Sequence, residues 1–138
     1  MPKRSYRKYR RRAKVSPTKE LKARSVQTCF RRACDGQATL PMDSARLIVN
    51  NPPDCPYCHA AIPWQELSID HVVPRSRGGL CNASNLVFTD KQCNMLKGNL
   101  TDTEFLLLLD FLNKHAKLKE LLVPRLKAGG FMFRKRRR

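Results

Sequence analysis

The sequence predicts an α+β fold, a small strand–loop–strand–helix core flanked by helices and ending in basic arms. Three observations support this. A short apolar run, Leu67–Val73, ends in a polar glycine loop and is followed by a second short run, Leu86–Phe88. Helical start and stop signals bracket the segments before and after it. The charge is concentrated at the two ends, with thirteen basic residues between 3 and 32 and five in Arg134–Arg138.

The elements follow in order. The segment 2–14 has almost no apolar content and predicts a flexible basic arm over residues 1–15, in which Tyr6 and Tyr9 could stack on bases. Ser16-Pro17-Thr18 starts a helical pattern that runs to about Cys34, with Leu21, Val26, Phe30 and Cys29 as its apolar side; Asp35-Gly36 ends it. A shorter helix is expected from Met42 to about Val49, burying Leu47 and Ile48. These two form a helical extension over 16–50. Asn50–Asp54 breaks the chain, and Cys55-Pro56-Tyr57-Cys58 makes a tight knuckle. A core over 51–123 then comprises the two strands, the loop Arg75–Ser84, a helix over Lys91–Leu96 stopped by Gly98-Asn99, and a last helix. Thr101 or Asp102 caps that helix, which is expected to end near Leu122, before Pro124; Phe105, Leu108, Leu109, Leu112, Leu118 and Leu122 share a face. Residues 124–138 read as a basic tail.

With 138 residues, one domain is the default. Lys and Arg number 28 against 11 Asp and Glu, a formal charge of +17 that attracts polyanions, DNA above all. No apolar run reaches the roughly 18 residues a membrane span needs, so no membrane is expected. The basic N-terminus lacks the apolar stretch of a signal peptide, which predicts an intracellular protein. In that setting the six cysteines, Cys29, Cys34, Cys55, Cys58, Cys81 and Cys93, suggest metal ligation or reduced thiols rather than a disulfide framework. Cys29 and Cys34 read as core or incidental thiols.

The pieces CPYC (55–58), IDHVVPRSRGG (69–79), NLVFTDKQCN (85–94) and KGNLTDTEF (97–105) carry the chemistry. In this order and spacing they resemble the HNH endonuclease family, whose fold is a ββα-metal core, over about Cys55–Phe105. Here asparagine stands at the third signature position, as in the family's asparagine variants. The resemblance implies a phosphodiester hydrolase that acts on DNA in the cytoplasm of a bacterial or phage-infected host. His71 would be the general base, because an imidazole titrates near neutrality. Asp70 and Asn94 would hold one divalent ion, Mg²⁺ or Mn²⁺, through hard oxygen donors. Asn85 would brace the loop carrying His71. Neighbouring strand residues point to opposite faces, so Asp70 and His71 are expected to need a bulge or twist to share a site. Arg75, Arg77 and Lys97 are candidate phosphate contacts.

The family often adds a zinc held by two C-x-x-C pairs. Here Cys55, Cys58 and Cys93 remain, and Asp90 stands at the other cysteine's place; a carboxylate can ligate zinc. His59, Cys81 and a site without metal are the alternatives. Nicking by a monomer, double-strand cutting by a homodimer, action within a phage or mobile-element assembly, and a non-catalytic zinc-knuckle protein all fit the charge and size.

Overall fold

Thr18 caps the first helix, inside the expected start segment but after Pro17 rather than before it. Its Oγ1 accepts from the Leu21 amide at 3.3 Å, and α1 (Lys19–Ala33) carries Glu20 in its first turn, where an acid favours the exposed amides. Asp35 (φ 49°) and Gly36 (φ 76°) turn the chain left-handed after Cys34, and the Gly36 amide closes on Arg31 O at 2.8 Å. The computed structural model describes residues 17–129, with side-chain surroundings to 125. The arm over 1–15, with Tyr6 and Tyr9, and most of the basic tail lie outside the described residues.

α2 (Met42–Asn50) packs on α1. Arg46 clamps the pair, reaching Glu20 at 3.1 Å and Asp43 at 2.8 Å. The seam is made by Ala23, Val26 and Ala45. Leu21 and Leu47, expected to be buried, face outward at 52 % and 63 % exposure. Alanines let the helices approach closely, so the larger leucines fall outside the seam.

The strands β1 (Leu67–His71) and β2 (Leu86–Asp90) form a two-stranded antiparallel sheet, in register from Leu67 opposite Asp90 to His71 opposite Leu86. α3 (Lys91–Lys97) begins where β2 ends. α1 and α3 both pack on β1. Thr101 and Glu104 form a reciprocal capping box at the start of α4 (Asp102–Lys114). The Asp102 amide donates to Val72 O at 2.9 Å, tying α4 to the end of β1.

The expected single helix is in fact two, α4 and α5 (Ala116–Gly129), and Pro124 lies inside the second. His115 makes the break. Its ring folds back on Phe111 at 4.2 Å, with Nδ1 2.8 Å from the Phe111 carbonyl oxygen, one of the groups a helix end leaves without an intrahelical donor. Leu118, expected on the apolar face, is 36 % exposed. One core unites the extension with the rest: Ala23, Val26 and Ala45 join Cys55, Tyr57, Ile62, Leu67, Cys93, Leu96 and Phe105. Architecturally the chain is α+β around a small ββα core. Among the described residues no helix is long and apolar enough to cross a membrane.

Candidate functional site

β1 is regular, and its alternation decides where each candidate points. Ser68 and Asp70 face α3. Leu67, Ile69 and His71 lie on the other side, toward α1 and the loop after it. The bulge expected to bring Asp70 and His71 together is absent: the ladder is unbroken from end to end. Each side chain is instead covered by a different helix.

On the α3 side, Asp70 is only 5 % exposed. Its Oδ2 accepts from the Tyr57 hydroxyl at 2.8 Å and meets the Lys97 ammonium at 2.8 Å. Lys97 has no exposed surface, and it also donates to the carbonyl oxygen of His71 at 2.8 Å. Its expected role at a phosphate is therefore corrected: a side chain fully enclosed and fixed at both ends serves as the internal counter-ion of Asp70. Burial, then the Asp102 and Asp70 carboxylates, raise the Tyr57 hydroxyl above its ordinary range, so it stays a donor. The Tyr57 ring meets Phe105 edge-on at 4.9 Å.

Asn94 uses its amide nitrogen on Ser68 Oγ (2.7 Å) and on the Ile69 carbonyl oxygen (3.3 Å). These bonds orient the side chain through its nitrogen, so that Oδ1 is the atom that could ligate a cation. One carboxylate and one amide oxygen on the same side of β1 suit a hard divalent cation. Lys97 neutralises part of the carboxylate charge such an ion would meet.

On the other side, His71 is 9 % exposed, and its Nε2 is buried with no hydrogen-bond partner among the described residues. Burial and then Arg75 hold the imidazole below its ordinary pKa of 6.5, against the opposing pull of Asp70. A neutral ring near pH 7 has a lone pair to accept a proton. A disulfide joins Cys34, at the end of α1, to Cys81 in the glycine loop. This corrects the expectation of metal ligation or reduced thiols, in which Cys34 was a core or incidental thiol and Cys81 an alternative zinc ligand. Docking of α1 on β1 brings the two together, although 47 positions separate them.

Asn85 braces the loop. Its Oδ1 accepts from the Val73 amide at 2.8 Å, and its Nδ2 donates to the carbonyl oxygens of Val73 (3.1 Å) and Leu80 (2.8 Å). It touches backbone on both strands of the loop and fixes the exit from His71. Gly79 is required in the same place, because a Cβ there would lie 1.7 Å from Val73 O. Arg75 and Arg77, at the loop's edge, pair with Asp35 and Glu104. Both remain half-exposed, so a phosphate would compete with a carboxylate for each.

Cys55, Cys58 and Cys93 form the second cluster, with all three sulfurs within 4.8 Å of one another. Burial pushes the Cys55 thiol up. The amides of Asp90, Cys58 and Tyr57, with the Thr89 hydroxyl, outweigh it and bring the pKa to about 7. Burial, then Cys55 and Cys58, drive Cys93 well up. Three thiolates this close repel one another unless a cation joins them, so the donor set fits a soft metal ion. Asp90 lies outside this cluster: its Oδ1 caps α3, accepting from the Gln92 amide at 2.8 Å and the Cys93 amide at 3.3 Å. His59 and Cys81 also lie outside the cluster. Tyr57 and the Cys34–Cys81 bond are the features missed in the sequence, and Lys97 was given another role. Tyr57 lay between the two knuckle cysteines, and Lys97 lay one helical turn after Asn94.

No curated protein matches the chain. A family model described as HNH endonuclease matches residues 55–107. That span holds Asp70, His71, Asn85, Asn94 and the three clustered thiols, and leaves α1, α2 and Cys34 outside. The segment that carries both sides of β1 is therefore similar to HNH endonucleases.

Proposed function

We propose that the chain is a metal-dependent DNA endonuclease with one HNH site. The observation that carries this reading is the buried, neutral His71, whose Nε2 has no hydrogen-bond partner among the described residues, on the strand residue next to Asp70 though on the opposite side of β1. His71 accepts the proton of the attacking water. Asp70 and Asn94 hold one divalent ion, Mg²⁺ or Mn²⁺, which when bound neutralises charge growing on the phosphate. Tyr57 and Lys97 fix the Asp70 carboxylate, Ser68 fixes Asn94, and Asn85 holds the loop after His71. Cys55, Cys58 and Cys93 bind a structural zinc, with the fourth position left to water or another ligand. Arg75 and Arg77 exchange their carboxylate partners for phosphates near the cut. The charge of +17 supplies sequence-independent attraction that weakens with salt.

The decisive experiment is nicking of supercoiled plasmid with Mg²⁺ or Mn²⁺ and with EDTA. Cutting should require the divalent ion. His71→Ala should lower the rate by about 10²–10⁴-fold while DNA binding persists. Native-rate cutting by that variant would overturn the assignment of the base. Absence of metal-dependent cutting would favour the second reading, a non-catalytic zinc-knuckle protein, for which the thiol cluster and the charge already suffice. Whether the chain nicks as a monomer, cuts both strands as a homodimer, or works within a phage or mobile-element assembly follows from the same assay run with its partners.

A further inference from the structure

Cys34 and Cys81 reach His71 from two directions. Cys34, fully buried, closes α1; Cys81, partly exposed, comes from the glycine loop. Their sulfurs and a ring nitrogen of His71 all lie within 4.8 Å of one another. Nε2 of the same ring is buried with no partner among the described residues. While the sulfurs are joined, neither is a thiolate. Once they are parted, the pocket presents two thiol sulfurs and a neutral imidazole. That is a soft, nitrogen-and-sulfur donor set, suited to zinc and unsuited to magnesium. It shares no residue with the Cys55–Cys58–Cys93 cluster and none with the Asp70–Asn94 pair.

We propose that the reduced chain binds a zinc ion through Cys34, Cys81 and His71, and that this ion silences the nuclease by occupying the base. The silencing rests on the nuclease reading above; the metal site does not. In the redox step a dithiol reductant gives two electrons and two protons to the Cys34–Cys81 bond and becomes a disulfide itself. The sulfur–sulfur bond breaks and two thiols form. Zinc then displaces both thiol protons to solvent and accepts the lone pair of a His71 ring nitrogen; water completes the fourth position. An imidazole bound in this way cannot take the proton of an attacking water. Cys81, on its loop, is the ligand able to shift as the sulfurs separate. Cys34 lies outside the segment that matches the nuclease family, so the helical extension completes this site.

The test counts zinc. Full-length protein, oxidised or reduced, is incubated with Zn²⁺ alone, desalted and assayed for metal per chain. The reduced protein should retain one more zinc than the oxidised protein. His71→Ala, and the double variant Cys34→Ser with Cys81→Ser, should each lose that extra zinc and keep the remainder. Equal zinc content in the two redox states overturns the site, as does an extra zinc that persists in the double variant. Comparing oxidised with reduced wild type needs no substitution, so a misfolded variant cannot decide the result. In the Mg²⁺ nicking assay, added Zn²⁺ should suppress cutting by reduced wild type by about tenfold or more while sparing the double variant, which keeps His71. Equal suppression of both overturns the silencing. If the zinc count holds but the chain cuts DNA under no condition, the site stands and the nuclease reading falls.

Discussion

The two sides of β1 differ in how fully their polar groups are partnered. Toward α3, one carboxylate oxygen of Asp70 takes a hydroxyl and an ammonium, and both donors are themselves buried. Toward α1, His71 has a ring nitrogen without a partner among the described residues, faced by a disulfide. The first arrangement is electrostatically closed and holds the carboxylate still. The second keeps a reactive nitrogen uncommitted at a desolvation cost that the surrounding packing must offset. A single turn of alternation along one strand thus separates a positioning site from a reactive one.

The largest break in that comparison is Lys97→Met. It leaves the Asp70 charge buried with one donor and should cost about 3–5 kcal/mol in denaturant unfolding. Arg75→Met removes an exposed partner of Asp35 and should stay within about 0.5 kcal/mol; equal costs would show that enclosure does not govern the α3 side. Next comes the disulfide on the other side. Cys34→Ser should destabilise the oxidised protein by roughly 2–4 kcal/mol, since the bond closes a long loop in the unfolded chain. The same variant should match reduced wild type in thermal unfolding, and a gap between them would point to a packing role for the sulfur. Tyr57→Phe keeps the ring against Phe105 and removes one donor to Asp70, for about 1 kcal/mol. The smallest effect lies at Glu104, held at about 2 by Arg77 first and then by the Thr101 amide. Its carboxylate favours the fold above its ordinary value of 4.5, and that contribution disappears as pH falls through about 2. The advantage of wild type over Glu104→Gln should therefore be full at neutral pH and vanish across that window, with salt reducing it.

Local chemistry was legible. Thr18, Asp35-Gly36, Gly98 and Thr101 act on backbone groups within five positions of themselves, so a window of sequence contains cause and effect. The order of Asp70-His71, Asn85 and Asn94 was legible as a family pattern, and the two strands fall close to where alternation put them. What needed the third dimension was the choice of partner. Lysine is almost never buried, and nothing near Lys97 in the chain announces that its counter-ion lies on β1. The Cys34–Cys81 pair exists only because α1 docks on β1. Asp90 offered two local meanings, cap and ligand; the family position favoured the ligand, whereas the start of α3 immediately after it makes it the cap. Pro124 was given the force of a stop, while the ring of His115 ended the preceding helix first.

Tyr57 occupies the middle of the knuckle between Cys55 and Cys58, yet its hydroxyl ends on Asp70. The thiol cluster and the Asp70 carboxylate are therefore mechanically in series. Whatever tightens or loosens the thiol knuckle shifts the phenol, and the phenol sets where the carboxylate stands. On the proposed reading, a chelator that strips only the soft metal would reach the hard-metal site without touching it, through one aromatic ring acting as a lever.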